Sequence, residues 1–542
     1  MRNHFFRWVQ CLFVVTLLFA GCTSPAAPTA PSTSSEPGAA DATTADEPVR
    51  VVVAQGSGVE SWDPPAGWGT ASEWIEMHVY DCLVFADRET GEIVGWLAES
   101  WENVDDLTWR MNLRQGVTFH NGEPFTAADA AYSINRIING SREQFIVFDQ
   151  WAFVDSVEII DDYTIDIITP YAEPAFLSKL GSTGCGVVNE TYVEEVGNDG
   201  LANFGIGTGP FKLVEFERES FVRFEANPDY WGGKPAIDEL VFRVIPEAST
   251  RVAELLTGGV DITTGILPQD WPRIEEQENL RVVRYLTDRV YELTVAHTAP
   301  EGVDGVATSI PEIRQAISYA IDRQELVDLI GGVGVPTLTR LTPPLPCSEA
   351  VDGTLYNVNP FDPEKAKELM AAAGYPDVPG GPEIALHSTF GQYIGMREIA
   401  ETIASMLEDV GFEVRLDILE PSTFNETVYR GQNEELMVQS LGNRITDPWI
   451  FILNYDTKFG ERTVARTRHS FEEVDTLAEV ANTSMDPAAR CEAVVEYANL
   501  VAENMIVIPL FQMPEAMAIR SDLEWTPPPD GMMMLHNLKV VE

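Results

Sequence analysis

Residues 383–441 read EIALHSTFGQYIGMREIAETIASMLEDVGFEVRLDILEPSTFNETVYRGQNEELMVQSL, and strand and helix periods alternate within them. Ile384 and Leu386 begin a short strand. Ile399, Ile403, Met406, Leu407 and Val410 then recur at helical spacing until Gly411, which can take the left-handed conformation that stops a helix. Phe412, Val414, Leu416 and Ile418 next alternate with Glu413, Arg415 and Asp417, the period of a half-buried strand. A short helix and a strand over 435–441 complete a β-α-β-α-β order. Strands joined by helical crossovers run parallel, so the chain is expected to belong to the α/β class.

The same punctuation extends outward. Pro311 opens a helix with Ile313, Ile317, Ala320 and Ile321 on one face, closed by Gly331-Gly332. Asp362-Pro363 opens another that ends at Gly374, and Asp486-Pro487 a third with Val494, Ala498, Val501 and Ala502 on one side. Earlier, Leu107, Trp109, Met111 and Leu113 alternate with polar residues as a strand should. Thr126 and Asp129 resemble a capping box opening a helix to about residue 138, and a strand pair is expected over 157–168 around Asp161-Asp162.

At the amino end, Arg2 and Arg7 precede an apolar stretch, residues 8–20, too short to span a bilayer but suited to a signal-peptide core. It ends in Leu18-Phe19-Ala20-Gly21-Cys22, which resembles the bacterial lipobox, where the Cys thiol accepts a lipid. Residues 1–22 are thus read as a lipoprotein signal peptide with Cys22 as the lipidation site. Residues 23–48, mostly Ser, Thr, Ala and Pro, cannot bury enough apolar surface to order themselves and read as a tether. The expected location is extracytoplasmic, anchored to the cell membrane through that lipid.

The chain carries 85 acidic and 35 basic residues, a formal charge of -50. Phosphate backbones need a basic surface, which argues against a nucleic-acid partner. An acidic, Lys-poor surface also suggests a saline habitat. Of the six cysteines, Cys82, Cys185, Cys347 and Cys491 lie beyond the leader, and in an oxidising compartment they allow three full pairings. His78, His120, His297, His387, His469 and His536 show no metal-ligand spacing, and no cofactor motif is found. A GxSxG elbow, an HExxH helix and a P-loop are all missing, so an exported hydrolase is a minor alternative to binding.

Residues Leu113-Arg114-Gln115-Gly116-Val117-Thr118-Phe119-His120-Asn121-Gly122-Glu123-Pro124-Phe125-Thr126-Ala127-Ala128-Asp129 resemble the signature of the peptide/nickel/opine solute-binding proteins of ABC transporters, extracellular family 5. Gly207-Thr208-Gly209-Pro210-Phe211 through Asn227-Pro228-Asp229-Tyr230-Trp231 is similar to a second block of that family. Arg314-Gln315-Ala316-Ile317 with Ala320-Ile321-Asp322-Arg323 is similar to a third. The resemblance implies a two-lobed, type II periplasmic-binding-protein flytrap with an extra α+β subdomain inserted in the first lobe. It places the first lobe at 49–295 with the insertion near 96–204, the second at 296–509, and a return over 510–542. It implies a monomer that delivers a small solute to ABC permease subunits with cytoplasmic ATPases. Pairing Cys82 with Cys185 and Cys347 with Cys491 would keep each disulfide within one lobe.

For the ligand, the family places contacts in the segment holding Trp62, Trp68 and Trp74, whose aromatic faces could stack on a solute. Trp449 is a further candidate. Peptide-binding members carry, three residues before the position matching Asp447, an Asp that pairs with the ligand's ammonium group. Here that residue is Arg444, which favours carboxylate, phosphate or an aromatic face. Asp447 itself, before Pro448, reads as a helix cap. The ligand is therefore peptide-class by resemblance, with an oligosaccharide, an anionic compound or a metal chelate as the alternative.

Overall fold

The structure, a computed structural model, describes residues 48–541 except 68, 88–89, 344, 352, 357, 377–379, 391–392, 430, 443–444, 456, 458–465 and 529–531. The leader, the tether through residue 47, Cys22, Trp68 and Arg444 lie outside the described residues.

The spine is built from β1 (Arg50–Gln55), β2 (Glu239–Val244), β3 (Ile262–Thr264), β4 (Leu280–Val295), β5 (Glu383–Thr389), β6 (Glu413–Leu419), β7 (Leu436–Leu441) and β8 (Val507–Arg520). They stand in the order β6-β5-β7-β4-β8-β3-β1-β2 within an 11-stranded sheet, continued beyond β2 by the hairpin Phe221–Ala226 and Phe211–Glu217. The two ends repeat one plan. β5 pairs in parallel with β6 on one side and β7 on the other. β1 does the same with β2 and β3. The inner strand of each triplet, β7 or β3, then lies antiparallel to one of the long strands, β4 or β8, which pair with each other. Val290, Tyr291, Leu293 and Val295 on β4 and Val507, Ile508, Leu510 and Phe511 on β8 are all buried. Every residue of β4 from Val290 to Val295 and of β8 from Val507 to Pro514 is buried.

Each triplet has its own core. Ile384, Leu386, Leu436 and Val438 pack with Ile313, Ile317, Ile399 and Ile403 from the covering helices. At the other end Val51, Val53, Leu240, Phe242 and Ile262 pack with Phe211, Phe224, Met517 and Ile519. A separate antiparallel sheet, Ala98–Asp105, Thr108–Leu113, Thr164–Ile168 and Ser156–Asp161, forms the α+β insertion with helix Ala127–Ile138. Its core includes Trp109, Met111, Phe125, Ile134, Ile165 and Phe176. Thr126 and Asp129 do form the capping box, and Trp109, Met111 and Leu113 point inward, whereas Leu107 is exposed.

One local reading changes. The helix from Pro311 does not run on to Gly331; it stops at Ala320, and a second helix, Arg323–Leu329, starts afresh. The Asp322 carboxylate accepts from the backbone N–H groups of Gln324 and Glu325 at 3.0 and 3.2 Å, a cap that competes with continuing the first helix. Gly207 and Gly209 let their loop approach the chain at Val79 closely. A Cβ on Gly207 would lie 2.1 Å from the Val79 carbonyl oxygen, and Gly209 donates to that same oxygen at 2.8 Å.

Candidate functional site

In an open parallel sheet, ligands settle outside the carboxyl ends of the strands where the winding reverses. Here that happens twice. From β5 the chain crosses over helix Met396–Asp409 to β6, then returns over helix Pro421–Tyr429 to β7 on the opposite side of β5. From β2 it crosses over helix Ala248–Leu256 to β3 on the opposite side of β1. The registers aim the two reversal points at each other. The carboxyl end of β7, Leu441, is opposite Val290, which is opposite Gln512 on β8, while the carboxyl end of β3, Thr264, is opposite Met517. The intervening stretch of β8 spans roughly 17 Å at the usual rise per strand residue. The β4–β8 register shifts between Leu286 and Val290 within it, a bulge that lets the long strands bend there.

Side chains at the bulge are cross-linked. Gln512 Nε2 donates to the carbonyls of Thr287 at 2.6 Å and Pro343 at 3.2 Å, and Thr287 Oγ1 donates to the Met513 carbonyl at 2.9 Å. Tyr285 Oη donates to Glu515 at 2.9 Å, and burial raises that carboxyl's pKa. At the β5–β7 reversal, Arg289 Nη1 donates to the Ser440 carbonyl at 2.9 Å, and the guanidinium carbon lies 4.5 Å from the centroid of the Tyr393 ring. At the β1–β3 reversal, Gln55 Nε2 donates to the carbonyls of Ser57 and Ala71 at 2.7 and 3.1 Å. Arg251 there is spent on the carbonyls of Ile245, Pro246, Thr264 and Gly265, so it closes strand ends rather than facing a ligand.

The insertion also reaches the loop after β7. Lys179, on helix Phe176–Leu180, pairs with Glu173 and lies over the Trp449 ring, and Ser178 Oγ donates to the Thr446 carbonyl at 3.5 Å. Burial lowers the Lys179 pKa, opposed by Glu173. Asp447 accepts the Trp449 backbone N–H at 2.8 Å, as a capping residue would. Its carboxylate is also held by both Nη atoms of Arg490, at 2.8 and 2.6 Å.

The expected aromatic site is only partly assembled. Trp62 is 0% exposed, edge-on to Phe216 and Phe224, and Trp74 is buried in the same core. Both are corrected to core residues, because rings enclosed by apolar side chains present no face to a solute. Trp449 is half-buried, with one face taken by Lys179. Cys82 joins Cys185 and Cys347 joins Cys491, with Cα–Cα distances of 5.1 and 5.3 Å. Sequence reading passed over Arg289 and Lys179. The polar run Thr287-Asp288-Arg289, which interrupts the strand's alternation, was the available signal for the first, and a lysine between Phe176 and Leu180 for the second.

A model of bacterial extracellular solute-binding proteins, family 5 (middle region) matches residues 92–462. The chain belongs to this family. This family-5 protein is 29% identical over 337 residues to Heme-binding protein A of Haemophilus influenzae, covering 57% of this chain and 59% of that one, less than two thirds of its length. It is 26% identical over 449 residues to the Dipeptide-binding protein of Escherichia coli, covering 78% of this chain and 82% of that one. The solved structure of HbpA2 from Haemophilus parasuis superposes with a TM-score of 0.78 at 22% identity, over 91% of this chain and 99% of that one. The family-5 protein therefore has the two-lobed type II binding-protein fold.

Proposed function

We propose that this protein captures a small solute in the crevice between its two reversal points and presents it to an ABC importer, permease subunits with cytoplasmic ATPases. One observation carries the reading: the carboxyl ends of both parallel triplets point at the bulge shared by β4 and β8. A solute touching both triplets favours the closed arrangement, because only there does it make both sets of contacts. A solute bound by one lobe alone would shift nothing. Lobes at 49–295 with a return at 510–542, and at 296–509, suit this division. Export through a signal peptide at 1–22, a lipid on Cys22 and a tether over 23–48 would hold a monomer at the outer face of the membrane.

Binding is the role, not catalysis, in keeping with the family. The named relatives bind haem and dipeptides, and a peptide-class solute is the first candidate here. Arg444, in place of an acid that would meet a free ammonium group, favours a solute whose anionic or polyhydroxyl part lies at that loop. The test is a mass spectrum of what the purified protein releases on denaturation, paired with solution scattering before and after that compound is restored. Recovery of one small solute that contracts the protein supports the reading. A protein that carries nothing and keeps one compactness across a broad solute panel overturns it.

A further inference from the structure

We propose that Arg289 anchors a carboxylate of the captured solute at the carboxyl ends of β5 and β7. The proposal rests on the solute-capture reading above and adds the chemical class of ligand and the residue that reads it.

Arg289 sits where the winding reverses. Its Nη1 is fixed on the Ser440 carbonyl at the end of β7, and its flat face rests on Tyr393 just beyond β5. These two contacts set the plane of the guanidinium and leave its Nε and Nη2 without a hydrogen bond among the described residues. No described carboxylate lies within 4.0 Å of it, and the residue is only half-buried.

Other buried arginines among the described residues have a carboxylate or carbonyl partner, although Arg340 also leaves its Nε and Nη2 without a hydrogen bond. Arg136 is held by Asp63, Arg340 stands beside Glu292, and Arg490 is held by Asp447. Arg251, Arg314 and Arg323, which have no carboxylate partner among the described residues, have their nitrogens on backbone carbonyls or a serine hydroxyl instead. In a chain of formal charge -50, a half-buried guanidinium with a free edge at the crevice marks a place for an anion from outside. Of the nearby acids, Glu515 is already bound by Tyr285, and Asp288 Oδ1 borders the same Gly442 position as Arg289 Nη2 without pairing with it within 4.0 Å.

The space beside that edge is kept open by a glycine. A Cβ on Gly442 would lie 3.2 Å from Arg289 Nη2 and 3.3 Å from Asp288 Oδ1, so any side chain would crowd the edge a ligand must reach. Nε and Nη2 of one guanidinium present parallel N–H groups at the spacing of two carboxylate oxygens. A carboxylate is therefore the group that this edge fits.

The experiment uses titration calorimetry on the mature chain with paired probes: the dipeptide Ala-Leu against its C-terminal amide, and glutarate against glutaramide. The expected result is that the acid member of at least one pair binds at least tenfold tighter than its amide. R289M should weaken the acid roughly 10- to 100-fold, as for a lost charge-assisted hydrogen-bonded pair, and leave the amide unchanged. R289K, which keeps the charge and loses the fork, should fall between. G442V should weaken the acid while leaving the Arg289 side chain in place. Melting curves within a few degrees of the parent establish that each variant is folded, and R289K carries the test if R289M is not.

Acid and amide binding alike, or R289M binding the acid as the parent does, overturns the Arg289 assignment while leaving solute capture intact. Binding of neither pair overturns the carboxylate class. So does a co-purified solute with no carboxylate. Absence of any solute together with absence of contraction instead sinks the capture reading itself.

Discussion

Lys179 Nζ lies 3.9 Å from the centroid of the Trp449 ring while its ammonium is paired with the buried Glu173. The two residues come from separately packed bodies. Phe176 and Leu180, flanking Lys179, belong to the insertion core, and Phe451 and Ile452, following Trp449, belong to the core around Tyr497 and Val494. Met485 from the second body also packs against the insertion core. A charge-balanced cluster of Lys179, Glu173, Asp447 and Arg490 thus joins the insertion to the loop after β7.

Removing one member leaves its partner charged and buried. K179M is expected to destabilise the protein by about 3–5 kcal/mol. The double variant K179M/E173Q should regain a large part of that, because a neutral amide is much easier to bury than an unpaired carboxylate. Urea unfolding of the parent, both singles and the double closes the cycle. Equal midpoints for K179M and the double would mean that Glu173 is not the partner that matters.

Glu76 sets a pH dependence. Its carboxyl is buried, takes the Ser72 hydroxyl at 2.5 Å, and has its pKa pushed up to about 8, chiefly by burial. The unfolded chain ionises this group near 4.5, so between there and 8 the folded state holds the extra proton. Its contribution is complete below the lower value and is lost as pH rises through the upper one, at most roughly 1.4 kcal/mol per pH unit. His78, lowered to about 3 by burial, acts in the opposite sense below its usual value of 6.5. The difference between parent and E76Q is therefore the readout, and it should change steadily from pH 5 to 8. Parallel stability curves would remove Glu76 from this role.

Gly207 has almost no room for a side chain. With the Val79 carbonyl oxygen 2.1 Å from the position of a Cβ, G207A must displace backbone that also receives the Gly209 N–H. A loss above about 3 kcal/mol is expected, in the range of overpacked or strained interior sites. G116A, where a Cβ would meet nothing within 4 Å but φ is +78°, should lose only about 1–2 kcal/mol. Thermal melts of the pair separate close approach from backbone conformation.

The disulfides close long loops, with partners 103 and 144 residues apart. Replacing either pair by alanines should cost about 2–5 kcal/mol, mostly by freeing the unfolded chain. Adding reductant to the parent during denaturant titration should reproduce the sum of the two losses. A midpoint insensitive to reductant would show that the bridges contribute nothing to stability.

The α/β class is legible in the run over 383–441, which alternates strand and helix periods that burial enforces locally. The sequence also marked helix starts through Pro311, Pro363 and Pro487, each at the first turn in the structure. Family blocks around Arg114, Gly207 and Arg323 were legible as patterns without disclosing their reason. Arg323, for example, is fully buried with its guanidinium on the carbonyls of Ser318 and Pro509. Which polar residues stand at the winding reversals depends on long-range packing. Trp62 and Trp74 looked like ligand surface and are core, while Arg289 looked like one more strand residue and stands at a winding reversal. Burial periodicity is written in neighbours a few residues apart. Whether a guanidinium finds a partner depends on groups such as Ser440 and Tyr393, more than a hundred residues away along the chain, which only folding brings to it.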